Sequence, residues 1–434
     1  MKIAIIGAGY VGLVTAGIFS DFGHKVYCID IDKEKIENLK AARLPFFEPG
    51  LDDLIKRNLE RGRLFFTTSY EAAIPSSKVI FICVGTPPLG DGEVDLTQLY
   101  SAVEETAKHL KGYSLIAIKS TVPIGVEENI EKIIKKFSKS KFELASCPEF
   151  LREGSAIADS RRPDRIVIGT KSKKAADILL DLHKHISGER IICDLRSAQL
   201  IKYVANSFLA TKVSFANSVA NLSEKVGADS DTVLWGAGLD RRVGHTYLSP
   251  GVGYGGSCLP KDVLAFVDMA KKYGFNFKLL KAVDEINENQ IDNFVEKIKK
   301  ALNNQVKGKI ITILGLSFKP NTDDMREAPS VKIINRLLLQ GAKIKAYDPV
   351  ATRNAKNYLK DVIFTSNAYE AAVGSSALCI VTEWDEFKEL DLAKISKIMK
   401  KPIILDGRNI YNPKKIKEAG FIYMGMGRRN ADIS

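Results

Sequence analysis

The chain of 434 residues reads as α/β: two doubly wound parallel-sheet domains joined by a helical domain with one long central helix. Three observations predict this. From residue 2 onward, apolar strand runs alternate with helical stretches, the grammar of a parallel sheet covered on both faces. From Ser197 to Val226 the period turns helical, with Leu200, Ile201, Val204, Phe208, Val213, Ala216, Val219 and Leu222 spaced along it and Gly227 to stop it. Past Lys309 the alternation returns and repeats the first half in detail: Phe22-Gly-His-Lys-Val-Tyr-Cys-Ile-Asp30 is similar to Gln340-Gly-Ala-Lys-Ile-Lys-Ala-Tyr-Asp348. These breaks divide the chain at 1–196, 197–300 and 301–434.

The first elements form a βαβ unit. Strand Lys2 to Ile6 enters Gly7-Ala-Gly9-Tyr-Val-Gly12, a helical pattern runs from Leu13 to Phe22, and a second strand spans Lys25 to Asp30. Gly7 permits the tight turn, Gly9 lets backbone N–H groups approach a pyrophosphate, and Gly12 permits close helix-to-strand packing. Asp30 ends the second strand, where a carboxylate accepts from ribose hydroxyls and repels a 2′-phosphate. No arginine follows in Ile31-Asp32-Lys33-Glu34-Lys35, so the pattern calls for NAD rather than NADP. Strands at Lys78 to Val84, Ser114 to Lys119 and Arg165 to Ile168 extend the sheet, and the loops holding Thr86 and Thr121 should rim the cofactor cleft. In the last third, a strand at Ile310 to Leu314, a helix near Val331 to Leu339 and a strand at Lys343 to Tyr347 form the second such unit. It lacks a complete G-x-G-x-x-G, which suits the mononucleotide end of a ligand better than a dinucleotide.

Composition narrows the function. A chain 45% hydrophobic and 27% charged is an ordinary globular one, with no apolar run long enough to span a bilayer and no signal peptide ahead of the first strand, so a cytoplasmic protein is expected. The formal charge of +12 comes from 64 basic residues interleaved with 52 acids, which argues against nucleic acid and is compatible with a small anionic ligand. Six cysteines, at 28, 83, 147, 193, 258 and 379, lack the spacing of a disulfide framework or a metal site. Cys28, Cys83 and Cys379 sit in strand-like runs and are expected in the core; Cys258 alone follows a glycine loop, Gly251-Val-Gly-Tyr-Gly-Gly-Ser-Cys258, with Lys261 and Asp262 beyond it.

That loop, alone, fits a small buried thiol as well as a nucleophile. Two further stretches decide between them: Glu149 and Glu153 lie four apart just after a strand, and Lys202 and Asn206 lie four apart on the long helix; taken separately, the first reads as a solvated pair and the second as a polar edge. Together they supply a nucleophile, donors for a developing oxyanion and a base.

The motifs GAGYVG, VGTPP, KSTVPIG, PEFLREGSAI, RRPDRIVIG, IKYVANSFLA, PGVGYGGSCLPKD, LGLSFKPNTDDMRE and LDGR run in order from the first strand region to about residue 410. Through them the chain resembles the nucleotide-sugar dehydrogenases of the UDP-glucose/GDP-mannose dehydrogenase family, and within it the UDP-glucose group. Three departures are small: Cys147 stands where asparagine often sits, Val126 where threonine is frequent, and Ala328 where serine is common. The resemblance implies a four-electron oxidation of UDP-glucose to UDP-glucuronate with two NAD⁺ in turn, through a thiohemiacetal and thioester on Cys258. It implies that Lys202 and Asn206 stabilise charge on the sugar oxygen, that Asp262, Thr121 and Glu153 position or activate water, and that Lys202 or Lys261 favours the thiolate. It puts NAD at Val11, Asp30, Lys35, Thr121, Glu153, Lys261 and Arg326. It puts substrate at Glu149, Phe150, Leu151, Arg152, Glu153, Lys202, Asn206, Tyr247, Leu248, Ser249, Pro250, Gly251, Gly255, Phe318, Lys319, Arg242 and Arg408. One such arginine can come from a partner subunit, so a homodimer is implied.

Three alternatives stay open. A relative acting on GDP-mannose or a UDP-N-acetyl-hexosamine would share the cysteine loop. A two-electron sugar-acid dehydrogenase would use Lys202 and Asn206 with Cys258 structural, and a non-catalytic NAD-responsive protein would use Cys258 as a redox sensor. Two, one or no NADH per sugar separates the double oxidation from the last two.

Overall fold

The fold, seen in a computed structural model, is described for residues 1–90 and 92–428. The first sheet has strands β1 (Lys2–Ile6), β2 (Lys25–Ile29), β3 (Leu64–Thr67), β4 (Val79–Ile82), β5 (Ser114–Ile118), β6 (Phe142–Ser146), β7 (Arg165–Gly169) and β8 (Glu189–Cys193). Their order is β3-β2-β1-β4-β5-β6-β7-β8. All neighbours are parallel except β6 and β7, which meet antiparallel at Ser146 and Gly169. β1 shows why such strands read as unbroken apolar runs. Ile3 and Ile5 join one core while Ala4 and Ile6 join another, so both faces of the sheet are covered and neither tolerates a polar residue.

The second sheet takes β9 (Ile310–Leu314), β10 (Lys343–Tyr347), β11 (Val362–Phe364), β12 (Ala377–Ile380), β13 (Ile403–Asp406) and β14 (Ile422–Gly425), in the order β11-β10-β9-β12-β13-β14, all parallel. Here too Ile311 and Ile313 face one core and Leu314 another. In both sheets the strand order reverses beside the first strand, at β1/β4 and β9/β12, and loops leaving the carboxyl ends there are where a doubly wound sheet holds ligands.

Five helices matter to the site: α1 (Tyr10–Asp21), α2 (Leu195–Val226), α3 (Leu259–Lys272), α4 (Lys278–Ala301) and α5 (Pro329–Leu339). Contacts divide the chain into two compact units, Met1–Ala205 with Asp268–Gly274, and Asn206–Val267 with Phe275–Ser434. The α/β architecture and the long helix are those expected. β9 and β10 fall on the predicted residues, and α2 and α5 each begin two positions earlier than the patterns suggested (Leu195 against Ser197, Pro329 against Val331). The alternating pattern did not mark β3, β8, β11, β13 or β14; β8 is an edge strand whose residues are exposed or half-buried, so it carries no continuous apolar run. Among the described residues, no helix is long and apolar enough to cross a membrane.

Candidate active site

In the first unit, β1 runs into the glycine turn. Gly7 has φ +99°, and a Cβ there would stand 2.7 Å from the Cys83 carbonyl oxygen; a Cβ on Gly12 would stand 1.8 Å from the Gly7 oxygen. Side chains are thus excluded from both positions by the protein's own backbone. Gly9 is different: it precedes α1, offers no capping side chain, and its Cβ direction faces open space. A helix N-terminus with an accessible glycine beside it fits an anionic group such as a pyrophosphate. Asp30, just past β2, accepts from the Ala8 N–H at 2.9 Å and from Lys35 Nζ at 3.0 Å. Asp30 and Lys35, each expected at the cofactor, therefore form an ion pair that closes on the glycine turn. Val11 lies half-buried in the first turn of α1. Thr86 donates its hydroxyl to the Thr121 carbonyl at 2.9 Å, which fastens the loop after β4 to the loop after β5.

The stretch after β6 is the second part of this unit. Glu149 is buried and pairs with Lys202 Nζ at 2.9 Å, with Lys202 itself only 3% exposed. Burial would raise the Glu149 carboxyl, but Lys202 and the Leu151 N–H, which donates to it at 2.6 Å, hold it below the usual carboxylate range. The sequence offered a solvated pair as the plain alternative for Glu149; burial against Lys202 rules that out. The Phe150 ring lies against cations, with the Arg165 guanidinium 3.8 Å and Lys202 Nζ 5.4 Å from its centroid. Arg152 reaches Asp159 with two side-chain nitrogens, at 3.0 and 2.6 Å, and is largely exposed.

Sequence reasoning missed Glu48. Buried in the run Pro45-Phe-Phe-Glu48-Pro-Gly50, it accepts from the Tyr10 hydroxyl, from Gly154 N–H at 2.6 Å and from Ala156 N–H at 2.8 Å. It therefore ties the first residue of α1 to the backbone beside Glu153. Burial first, then Glu48, pushes the Tyr10 phenol far up. The signal was present as a lone acid between two phenylalanines and a Pro-Gly turn, a place where a carboxylate without donors would be costly.

In the second unit, the Cys258 thiol is exposed at the start of α3, with Ser257 Oγ at 3.6 Å and its carbonyl accepting the Asp262 N–H at 2.9 Å. The positive end of a helix favours an anion at that position. Asp262 is buried and doubly engaged: Lys261 Nζ lies 2.6 Å from Oδ1 and Asn206 Nδ2 donates to Oδ2 at 2.6 Å. The structure brings Asn206, Asp262, Lys261 and the cysteine turn together. The positive charge of Lys261 is balanced by Asp262, so the helix terminus supplies the thiol's electrostatic support more directly than that lysine. As predicted, Cys28, Cys83 and Cys379 are buried, and so is Cys147; burial pushes Cys83 and Cys147 up to about 12.

The glycine loop serves the protein's own packing more than the sequence suggested. A Cβ on Gly255 would lie 2.2 Å from the Glu327 oxygen and one on Gly256, at φ +83°, 2.7 Å from the Phe318 ring. Arg408 gathers the neighbouring loops: Nε donates to the Val381 carbonyl at 2.7 Å, Nη1 to the Gly253 carbonyl at 3.3 Å, and Nη2 reaches the Phe318 carbonyl at 3.5 Å. Leu248 and Pro250 are buried, Ser249 is exposed, and Tyr247 has φ +63°, unusual for a bulky residue. Lys319 lies over its neighbour Phe318, 5.5 Å from the ring centroid. Arg326 and Arg242 each grip the aspartate two residues before them, Asp324 and Asp240. Arg242 is 89% exposed.

Three domain profiles match in chain order: the UDP-glucose/GDP-mannose dehydrogenase family NAD binding domain over residues 1–187, its central domain over 196–289 and its UDP binding domain over 312–413. The chain is 46% identical to UDP-glucose 6-dehydrogenase TuaD of Bacillus subtilis (strain 168), over 98% of this chain and 93% of that one. It is 42% identical to the UDP-glucose 6-dehydrogenase of Rhizobium meliloti (strain 1021), over 99% and 100% of the two. A solved UDP-glucose dehydrogenase from the hyperthermophilic archaeon Pyrobaculum islandicum superimposes with a TM-score of 0.92 at 37% identity, covering 98% of each chain. A UDP-D-ManNAc dehydrogenase from Pyrococcus horikoshii does so with a TM-score of 0.88 at 30% identity, covering 99% and 100%.

Proposed function

Because the chain belongs to the UDP-glucose/GDP-mannose dehydrogenase family, we propose that it oxidises C6 of UDP-glucose to the carboxylate of UDP-glucuronate, through a covalent intermediate on Cys258. The observation that carries the covalent step is the exposed Cys258 thiol at the helix start, beside the Asn206–Asp262–Lys261 cluster. NAD⁺, when bound, supplies the acceptor for the hydride lost in each of the two oxidations. Gly7, Gly9, Val11, Gly12, Asp30, Lys35, Thr86, Thr121, Glu153, Lys261 and Arg326 are assigned to holding it. The open Cβ direction at Gly9 and the accessible α1 N-terminus fit its pyrophosphate, and Asp30 fits its ribose.

The chain's own residues then divide the work. In the first oxidation the C6 carbon gives up a hydride and its hydroxyl a proton, which passes to water, leaving the aldehyde; Lys202 and Asn206 donate to the sugar oxygen as it gains negative charge. The Cys258 sulfur adds to the aldehyde carbon, its oxygen takes a proton, and the resulting thiohemiacetal loses a hydride and that proton to become a thioester. Water, oriented by Thr121, Glu153 and Asp262, adds to the thioester carbonyl; the C–S bond breaks, releasing carboxylate, thiol and a proton. The segments Glu149–Glu153 and Tyr247–Gly251, with Gly255, Phe318, Lys319 and Arg408, are assigned to the nucleotide sugar. The cytoplasmic setting fits a chain whose six cysteines are all thiols.

A homodimer belongs to the same proposal. In the second unit, α2 leaves Phe208, Phe215, Leu222 and Val226 each about 60% exposed or more, a stripe that a second copy would cover. Arg242, extended into solvent, is then available to a neighbour's substrate.

One experiment tests the chemistry. NADH formed per mole of sugar is measured with UDP-glucose, UDP-N-acetylglucosamine and GDP-mannose side by side, for the native enzyme and for Cys258→Ser. The expected result is two NADH per UDP-glucose, weaker use of the other two, and sustained turnover reduced by a thousandfold or more in the serine variant, on the order seen when a catalytic nucleophile is removed. Rapid production of two NADH by Cys258→Ser would sink the covalent route.

A further inference from the structure

Within the second unit, the peptide groups ahead of Cys258 are held by side-chain carboxamides. Asn217 Oδ1 accepts the Gly251 N–H at 2.8 Å, and Gln290 Nε2 donates to the Gly251 carbonyl at 2.8 Å. Asn287 makes a matched pair with one residue, accepting the Tyr254 N–H at 2.8 Å and donating to the Tyr254 carbonyl at 3.1 Å. Backbone contacts complete the set: Val252 N–H donates to the Gly407 carbonyl at 3.1 Å and Gly256 N–H to the Arg326 carbonyl at 3.0 Å.

Asn287 and Gln290 sit three apart on one face of α4 and are buried, at 5% and 0% exposure. Around them α4 buries Val283, Ile291, Phe294 and Val295, so apolar residues at these two positions would continue the helix's core face. A buried carboxamide is unfavourable there unless its hydrogen bonds are made. They are made to the backbone of the cysteine loop. Gln290 is also oriented: its Oε1 accepts from Asn221 Nδ2 at 2.9 Å, which leaves Nε2 to face Gly251. Asn287 fits against a glycine for a reason, since a Cβ on Gly253 would come within 2.9 Å of its Oδ1.

We propose that Asn287 and Gln290 are positioning residues for Cys258. They grip the loop at Tyr254 and Gly251, before it passes through the two-glycine turn, and so set where the chain delivers the sulfur at the head of α3. Covalent addition needs the reacting atoms about 3–3.5 Å apart, and a misplacement of about 1 Å can lower a rate on the order of a hundredfold. The inference rests on the covalent role of Cys258, but the grip can be tested without substrate.

The test uses full-length Asn287→Leu and Gln290→Leu. Four quantities are compared with the native enzyme: NAD⁺ affinity, kcat with UDP-glucose, the fraction of aldehyde trapped by semicarbazide, and the rate at which iodoacetamide alkylates Cys258, read from its peptide by mass spectrometry. The expected result is unchanged NAD⁺ affinity, kcat lower by about a hundredfold, trapped aldehyde because the first oxidation does not use the thiol, and an altered alkylation rate at Cys258 alone. A general loss of stability would not release the aldehyde selectively. Asn287→Asp, which keeps an acceptor for the Tyr254 N–H but not the donor to its carbonyl, should show the same pattern more weakly and serves if the leucine variants do not fold. Native kcat, or a lower kcat with no trapped aldehyde and an unchanged alkylation rate, overturns the proposal. If Cys258→Ser itself turns over normally, the covalent reading fails, while the alkylation rates still report whether the clamp sets the loop.

Discussion

The two sheets repeat one plan, since β3-β2-β1-β4-β5-β6 and β11-β10-β9-β12-β13-β14 have the same order, and each places an aspartate directly after its second strand. The two aspartates have different surroundings. Asp30 has a side chain 11% exposed and accepts from the Ala8 and Asp32 N–H groups and Lys35. Asp348 is 2% exposed; its Oδ2 accepts from the Leu316 and Ser317 N–H groups, the Ser317 hydroxyl and the Trp384 indole, and its Oδ1 from the Val350 and Ala351 N–H groups. The turns differ in the same sense. β1 ends at Ile6 and α1 opens at Tyr10, leaving a helix N-terminus beside the turn, whereas β9 ends at Leu314 and α5 does not open until Pro329. The intervening residues carry Phe318, Arg326 and Glu327, which pack against Gly255 and Gly256 of the cysteine loop. The comparison teaches that a repeated strand order does not repeat a binding site. The first copy leaves its turn open beside a helix N-terminus, and the second uses the equivalent chain to pack the Cys258 loop.

The largest effect expected from this distinction is at Lys202. If the first unit's charged groups are kept for chemistry, Lys202→Met should lower kcat by two to three orders of magnitude, the roughly 2.7–4 kcal/mol carried by one oxyanion donor. It should also destabilise the fold by about 3–5 kcal/mol, because Glu149 is left as an unpaired buried charge. Adding Glu149→Gln should restore much of the melting temperature and none of the turnover. Recovery of turnover in the double variant would class Lys202 with Asp348 as a packing group. Asp348→Ala comes next, and its effect should be on stability alone. Five N–H donors lose their acceptor at once, so denaturant unfolding should show a loss of about 3 kcal/mol or more with NAD⁺ affinity unchanged. A weakened affinity for NAD⁺ would break the comparison.

These contrasts also mark how far the sequence could be read. β1, α1 and β2 were legible because a glycine turn, an apolar period and a terminal acid are neighbours in sequence, and the cysteine loop was legible for the same reason. The fate of Asp348 was not, because it depends on Trp384, a residue 36 positions away that gives no periodic signal. Glu149 and Lys202, 53 positions apart, each fit a solvated position by sequence alone, and only burial joins them. Glu48 and the α4 carboxamides were missed because they act on backbone groups of distant loops, and a hydrophobic pattern records a buried polar residue only as an interruption. Asp30 and Lys35, five positions apart, were both picked out, but not as a pair, since the ion pair needs the turn after β2 to bring them together.

That pair allows the subtlest test, Asp30→Asn. The amide keeps an oxygen for the Ala8 N–H, so the glycine turn should hold and stability should change by no more than about 1 kcal/mol. What it removes is the negative charge that repels a 2′-phosphate and that occupies Lys35 at 3.0 Å. Released from its partner, Lys35 is an ammonium beside the ribose position, free to meet a phosphate. The ratio of NADP⁺ to NAD⁺ dissociation constants should therefore fall by about tenfold, equivalent to roughly 1.4 kcal/mol, with a smaller loss of NAD⁺ affinity from the weaker ribose acceptor. Calorimetric titration of both cofactors into the native and variant enzymes measures the ratio. An unchanged ratio accompanied by a large drop in melting temperature would mean that Asp30, like Asp348, serves its own turn, and the distinction between the two sheets would then have to rest on the helix N-terminus and Gly9 alone.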